Sequence, residues 1–137
     1  QKNVIAGIKK TVPLIHFAHG ATHLLEMVAE AGGDVIGLDW RCNLDEAWKR
    51  VGYDKAVQGN IDPISLFGSK EFIRKRTKEI LDRAGGRNGH IMNLGHGILK
   101  GTPFDNVVAF LDAAHEGPEE DREADRAEDR AADPMRA

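Results

Sequence analysis

Side chains able to hold an anion or move a proton recur at four points along the 137-residue chain, each at the end of an apolar, β-compatible run. They are His16 and His19, then Asp39 with Trp40, then Gln58, Asn60 and Asp62, and last Asn93 and His96. The last group is the most distinctive. The stretch from His90 to Ile98 begins apolar and breaks at Asn93 into Gly95-His96-Gly97. Flanking glycines leave the backbone around an imidazole free for conformations closed to other residues. An imidazole so placed can pair with an anion or carry a proton near neutral pH. Each group also has a structural reading. Asp39 can cap the loop after it, Asp62-Pro63 is a turn, Gln58 and Asn60 can hold neighbouring loops, and His96 can be tied by backbone bonds. His16, His19, His23 and His96 raise the question of zinc or iron, since imidazole suits both. His19 lies ahead of the helix that carries His23, however, and no Cys or Glu completes a familiar ligand spacing, so no metal ligand is assigned. Phosphate-binding glycine loops and a nucleophile elbow are absent from the sequence.

The elements that must position these groups follow from hydrophobic period. Val12–Phe17 reads as a strand and residues 21–31 as a helix, with Ala21, Leu24, Leu25, Val28 and Ala31 on one stripe and Gly32-Gly33 as its stop. Asp34–Trp40 is a second strand, apolar enough to be buried on both faces. Asn43 with Glu46 makes a capping-box pattern for a short helix whose inner stripe is Leu44, Ala47, Trp48 and Val51. Lys55–Ile61 is the third strand. Ser69 caps a helix over 70–84, with Phe72, Ile73, Ile80 and Leu81 facing inward and Gly85-Gly86 ending it. His90 opens the fourth strand. Thr102, Pro103 and Asp105 begin the last helix, with Phe104, Val107, Val108 and Leu111 inward. Four strands strictly alternating with four helices predict an α/β fold with a parallel sheet. Four such units are half of an eight-stranded barrel, which typically needs about 250 residues; an open four-stranded sheet is the alternative. Half a barrel would bare two sheet edges and the side chains meant for its interior, and the chain lacks an initiator Met. The expectation is a C-terminal fragment.

Composition narrows the function classes. No apolar run reaches the roughly 18 residues that span a bilayer, and the N-terminus has no secretory signal pattern. The single cysteine, Cys42, allows neither an intramolecular disulfide nor a cysteine-rich zinc site, which fits a reducing cytoplasm. Residues 118–137 carry four Arg against eight Asp and Glu, a balance of −4 that leaves residues 1–117 at +1 within the total of −3. The folded part, residues 1–117, therefore has no basic excess that argues for nucleic acid. Residues 118–137 contain no Leu, Ile, Val or aromatic residue and read as a charged, disordered or solvated helical tail.

Three stretches carry a specific resemblance: Val35-Ile36-Gly37-Leu38-Asp39-Trp40, Gln58-Gly59-Asn60-Ile61-Asp62-Pro63 and Asn93-Leu94-Gly95-His96-Gly97-Ile98. In order and spacing they resemble consecutive motifs of the uroporphyrinogen decarboxylase family, over about residues 10–116. The resemblance implies the C-terminal half of a (β/α)8 TIM barrel that works as a homodimer in haem biosynthesis. It implies conversion of the four acetates of uroporphyrinogen III to methyls, giving coproporphyrinogen III and carbon dioxide, with no metal or organic cofactor. It also implies that His96 lines the substrate cleft and contacts the porphyrinogen. The family's pyrrole-binding aspartate, carboxylate-gripping arginines and site tyrosine belong to an N-terminal half not represented here. No catalytic residue is therefore assigned, and Asp39, from a different motif, does not replace that aspartate. The alternatives are an inactive truncated fragment and a related cobalamin-dependent methyltransferase. The latter's zinc site uses a His-x-Cys pattern, where this chain has His16-Phe17-Ala18.

Overall fold

The computed structural model describes residues 2–9 and 11–116. The tail expected over 118–137, and Gly117-Pro118 ahead of it, lie outside the described residues. Four short strands, β1 (Ile15–Phe17), β2 (Val35–Gly37), β3 (Ala56–Gln58) and β4 (His90–Ile91), form one parallel sheet in the order β1-β2-β3-β4. The helices are α1 (Lys2–Ala6), α2 (Leu25–Ala31), α3 (Leu44–Val51), α4 (Lys70–Ala84) and α5 (Phe104–His115). Successive helices pack on one another, so they form a single layer. A parallel sheet wound in sequential order with one helix layer has one covered face and one open face.

Register separates the two faces cleanly. His16, Ile36, Val57 and His90 are successive cross-strand partners on the helix side, and Ile36 and Val57 are fully buried. Phe17, Gly37, Gln58 and Ile91 form the next row, on the opposite face, where Phe17 and Ile91 are exposed. Alternation of side chains along a strand places adjacent residues on opposite faces. Between the covered face and the helices lies the core, centred on Ile36, Leu38, Leu44, Trp48, Val57 and Ile73. Each such side chain taken out of water contributes about 1.5–3 kcal/mol.

The strictly alternating order is as the sequence predicts, with local corrections. Ser69 caps α4 as expected, its Oγ accepting from Phe72 N at 3.2 Å. Gly85 ends α4 in the left-handed conformation, φ 64°, and its N–H donates to the Leu81 and Asp82 carbonyls. Asn43 occupies the cap position of α3 but makes no side-chain cap bond. Thr102 does not cap α5: Pro103 stands at the cap, and the Thr102 hydroxyl donates to Leu99 O at 2.7 Å instead. Residues 22–24 form a 3₁₀ turn before α2, which leaves Leu24 exposed while Leu25, Val28 and Ala29 are buried. The inner stripe of α5 is rotated from its predicted position. Phe110, Ala109 and Ala113 are buried, with Val107 against the core, whereas Phe104 is 78% exposed and Val108 and Leu111 face outward. Phe72 is likewise exposed. α5 is apolar on more sides than one neighbour can cover, and the α4–α5 contact sets which side is used. The five-residue α1 was too short to leave a periodic signal.

Candidate functional site

The C-terminal ends of parallel strands gather loop residues at one mouth, where α/β proteins bind ligands. His96, in the loop after β4, lines an open cleft of about 390 Å³ with Phe17, Gln58 and Asn93. Its ring centroid is 4.6 Å from that of His19, 5.8 Å from Trp40 and 6.4 Å from Phe17. Four rings, Phe17 from β1 and His19, Trp40 and His96 from three loops, thus surround one corner of the cleft.

Asp39 organises that corner from below. Its side chain is 2% exposed and accepts from Gly20 N at 2.9 Å, Arg41 N at 2.8 Å and Arg41 Nη1 at 2.7 Å. Burial by itself would push this carboxyl up. The backbone N–H groups of Arg41 and Gly20 and the Arg41 guanidinium more than offset it and hold it below the ordinary aspartate value. Asn60 ties down the same loop, its Nδ2 donating to Asp39 O at 3.0 Å and Cys42 O at 2.8 Å. Cys42 is no nucleophile in this setting. Burial pushes its thiol up, and Sγ donates to Asp39 O at 3.2 Å.

The glycines beside His96 act differently from the sequence expectation. Neither Gly95 nor Gly97 has a positive φ. Gly95 is demanded by close approach, since a Cβ there would lie 2.4 Å from Trp40 N, against backbone that cannot swing away. Around Gly97 a Cβ would meet nothing within 4 Å.

Of the residues singled out in the sequence, the fold brings His19, Asp39, Trp40, Gln58, Asn93 and His96 to the mouth. His16 is not among them. It faces the helix layer, is buried, and its Nδ1 donates to Gly32 O at 2.9 Å. One-residue alternation on β1 sends Phe17 to the cleft and His16 away from it. His23 is exposed on the turn before α2. Among the described residues no group of three or more His, Cys, Asp and Glu side chains is placed to hold a metal ion. Asp62 has its structural role, with Oδ1 accepting from Ile64 N at 3.0 Å at the start of a 3₁₀ turn. Asn60 and Asp39 also fulfil the structural readings given above. Sequence reasoning passed over Phe17 and Arg41. Arg41 directly follows Asp39-Trp40, but nothing along the chain links it to His19, which the fold places against it.

The family model for uroporphyrinogen decarboxylase (URO-D) matches residues 1–117. The uroporphyrinogen decarboxylase of Carboxydothermus hydrogenoformans is 58% identical over 116 residues, covering 84% of this chain and 33% of that protein. That of Sorangium cellulosum is 53% identical over 107 residues, covering 78% and 31%. The chain spans about a third of the length of the curated relatives it matches. A methyltransferase from Methanosarcina mazei shares the fold, with a TM-score of 0.70 over 84% of this chain and 34% of that one, at 20% identity.

Proposed function

The chain belongs to the uroporphyrinogen decarboxylase family, and from that premise we propose that it supplies the C-terminal half of a (β/α)8 barrel that decarboxylates uroporphyrinogen III to coproporphyrinogen III. The observation that supports this best is the cleft: His96 stands at the strand ends, on the sheet face that none of the described helices covers. In this reading residues 1–117 are the half barrel and 118–137 a solvated tail. The open face with Phe17, Gln58 and Ile91 becomes barrel interior once the remaining strands close against β1 and β4. The whole enzyme acts as a homodimer in the cytoplasm, with no metal or organic cofactor.

The chemistry asks for three things. Carboxylates must be held, a pyrrole carbon must accept a proton so that the ring can take up an electron pair, and the resulting positive charge must be stabilised. The C–C bond to the carboxylate then breaks, carbon dioxide leaves with its bonding electrons passed to the ring, a proton completes the methyl group, and the ring gives back the proton it took up. His96 serves the first need, donating to a substrate carboxylate. The groups that would stabilise the pyrrolic charge lie in the part of the family not represented here. His16 would be the histidine of the methyltransferase-type zinc site, and its turn toward the helix layer weighs against that second reading.

The test is decarboxylation of uroporphyrinogen by the purified chain, alone and mixed with the separately expressed N-terminal half of a relative. The expected result is no product alone and product on mixing. Product from the chain alone would overturn the half-barrel reading, and no product on mixing two folded halves would overturn the assignment of activity. In the active assembly His96→Ala should lower turnover about 10- to 100-fold, the worth of one charge-assisted bond of about 1.5–3 kcal/mol. Unchanged kinetics would remove His96 from the site.

A further inference from the structure

Arg41 follows Trp40 in the loop after β2, and its setting is unusual for a surface arginine. Its Cζ lies 3.9 Å over the Trp40 ring, and its Nη1 donates to the buried Asp39 Oδ2 at 2.7 Å. The same Nη1 is 3.2 Å from His19 Nε2. An arginine only donates, so Nε2 accepts in this contact and the His19 proton sits on Nδ1. Stacking, a buried anion and an imidazole fix one edge of a planar group. Among the described residues Nε and Nη2 make no hydrogen bond, and the side chain is 49% exposed. His19, in turn, packs on His96 at 4.6 Å between ring centroids.

Two backbone N–H groups, of Gly20 and of Arg41, already bond Asp39. The side-chain bond adds something else. It holds a flexible cation in one pose beside the cleft, with the two-pronged edge that matches a carboxylate left open. Holding the side chain in advance removes ordering entropy that a ligand would otherwise have to overcome.

We propose that Arg41 is a carboxylate-binding residue of the mouth, its open guanidinium edge taking one side-chain carboxylate of a polycarboxylate substrate beside His96. Asp39 is then a positioning residue for Arg41, acting through it rather than touching substrate. The proposal rests on the reading of the cleft as a porphyrinogen site and adds to it which residue on this chain grips the periphery.

The experiment measures binding of uroporphyrin, the stable planar octacarboxylate, to the full 137-residue chain through polarisation of the porphyrin emission. Wild type, Arg41→Gln and Arg41→Lys are compared, with circular dichroism as the folding control. At about 0.05 M salt Arg41→Gln should bind about tenfold more weakly, with Arg41→Lys between it and wild type. At about 0.5 M salt, where the Debye length is only a few ångströms, the gap should shrink to less than about threefold. Equal affinity of Arg41→Gln and wild type would overturn the role of Arg41 and leave the porphyrin site standing. A tenfold gap that persists at high salt would also overturn it, since that would mark a packing defect and not a lost charge contact. Absence of binding by folded wild type would overturn the site reading and this proposal with it.

Discussion

The two faces of one four-stranded sheet are built from the same strands yet obey different rules. On the helix side the row His16, Ile36, Val57, His90 is buried or half-buried, and both histidines spend a ring N–H on a backbone carbonyl, Gly32 O and Gly59 O. On the other side Phe17 and Ile91 are exposed, Gln58 is half-buried and Gly37 lies against the Phe17 ring, and the imidazole beyond the strand ends, His96, has rings for neighbours. Burial makes the covered face intolerant: a lost methyl leaves a void there, and a polar atom without a partner, as at His16 Nε2, is costly. The open face keeps donors in reserve for something else. The strand histidines facing the helix layer are thus held by backbone carbonyls, whereas His96, in the loop after β4, faces the cleft.

Ile36→Ala and Ile91→Ala put the comparison at risk most directly. Ile36 is fully buried and Ile91 is 42% exposed. Deleting the Ile36 side chain should cost about 2–5 kcal/mol in denaturant unfolding, against less than about 1 kcal/mol for Ile91. Similar losses at both would mean that the open face is packed after all. Next in size is Gly95→Ala, where the new methyl meets Trp40 backbone. It should destabilise by about 1–3 kcal/mol and also abolish porphyrin binding. Gly97→Ala, with open space around it, should do neither; equal effects at the two glycines would refute the close-approach argument.

The smallest effect concerns pH. Burial pushes His90 below the ordinary histidine value, against the opposing pull of its bond to Gly59 O. The folded state then binds fewer protons than the unfolded one, so stability present at pH 7 declines as pH falls through about 6.5 and toward the lower folded value. His90→Gln should flatten the fall in melting temperature between pH 7 and 5, a window above the range in which Asp39 takes up its proton. An unchanged slope in the variant would show that His90 carries none of the dependence.

Much of this architecture is legible along the chain because it is local. Strand–helix alternation, the Ser69 cap and the Gly32 and Gly85 stops depend on neighbours within a few residues. Errors fall where a choice is made between nearly equal faces. The α5 stripe is apolar on several sides, and only its packing on α4 selects Phe110 and Ala113 over Phe104 and Leu111. Thr102 and Asn43 sit at plausible caps, yet their side chains find no cap bond, because cap geometry depends on how the loop enters the helix. At the site, the motif glycines are visible in sequence, but the reason for Gly95 is the Trp40 backbone, more than fifty positions away in the chain.

The amino-acid sequence by itself determined the α/β order, the parallel sheet, the family and the identity of His96 as the residue to watch. Hydrophobic period, turn chemistry and three spaced motifs carry that information without reference to distant contacts. Only the tertiary structure decided that His16 faces the core while Phe17 faces the cleft, and that Arg41, stacked on Trp40 and anchored by buried Asp39, meets His19. Pleat parity and loop convergence bring together groups some twenty residues apart, and neither is written in local propensity.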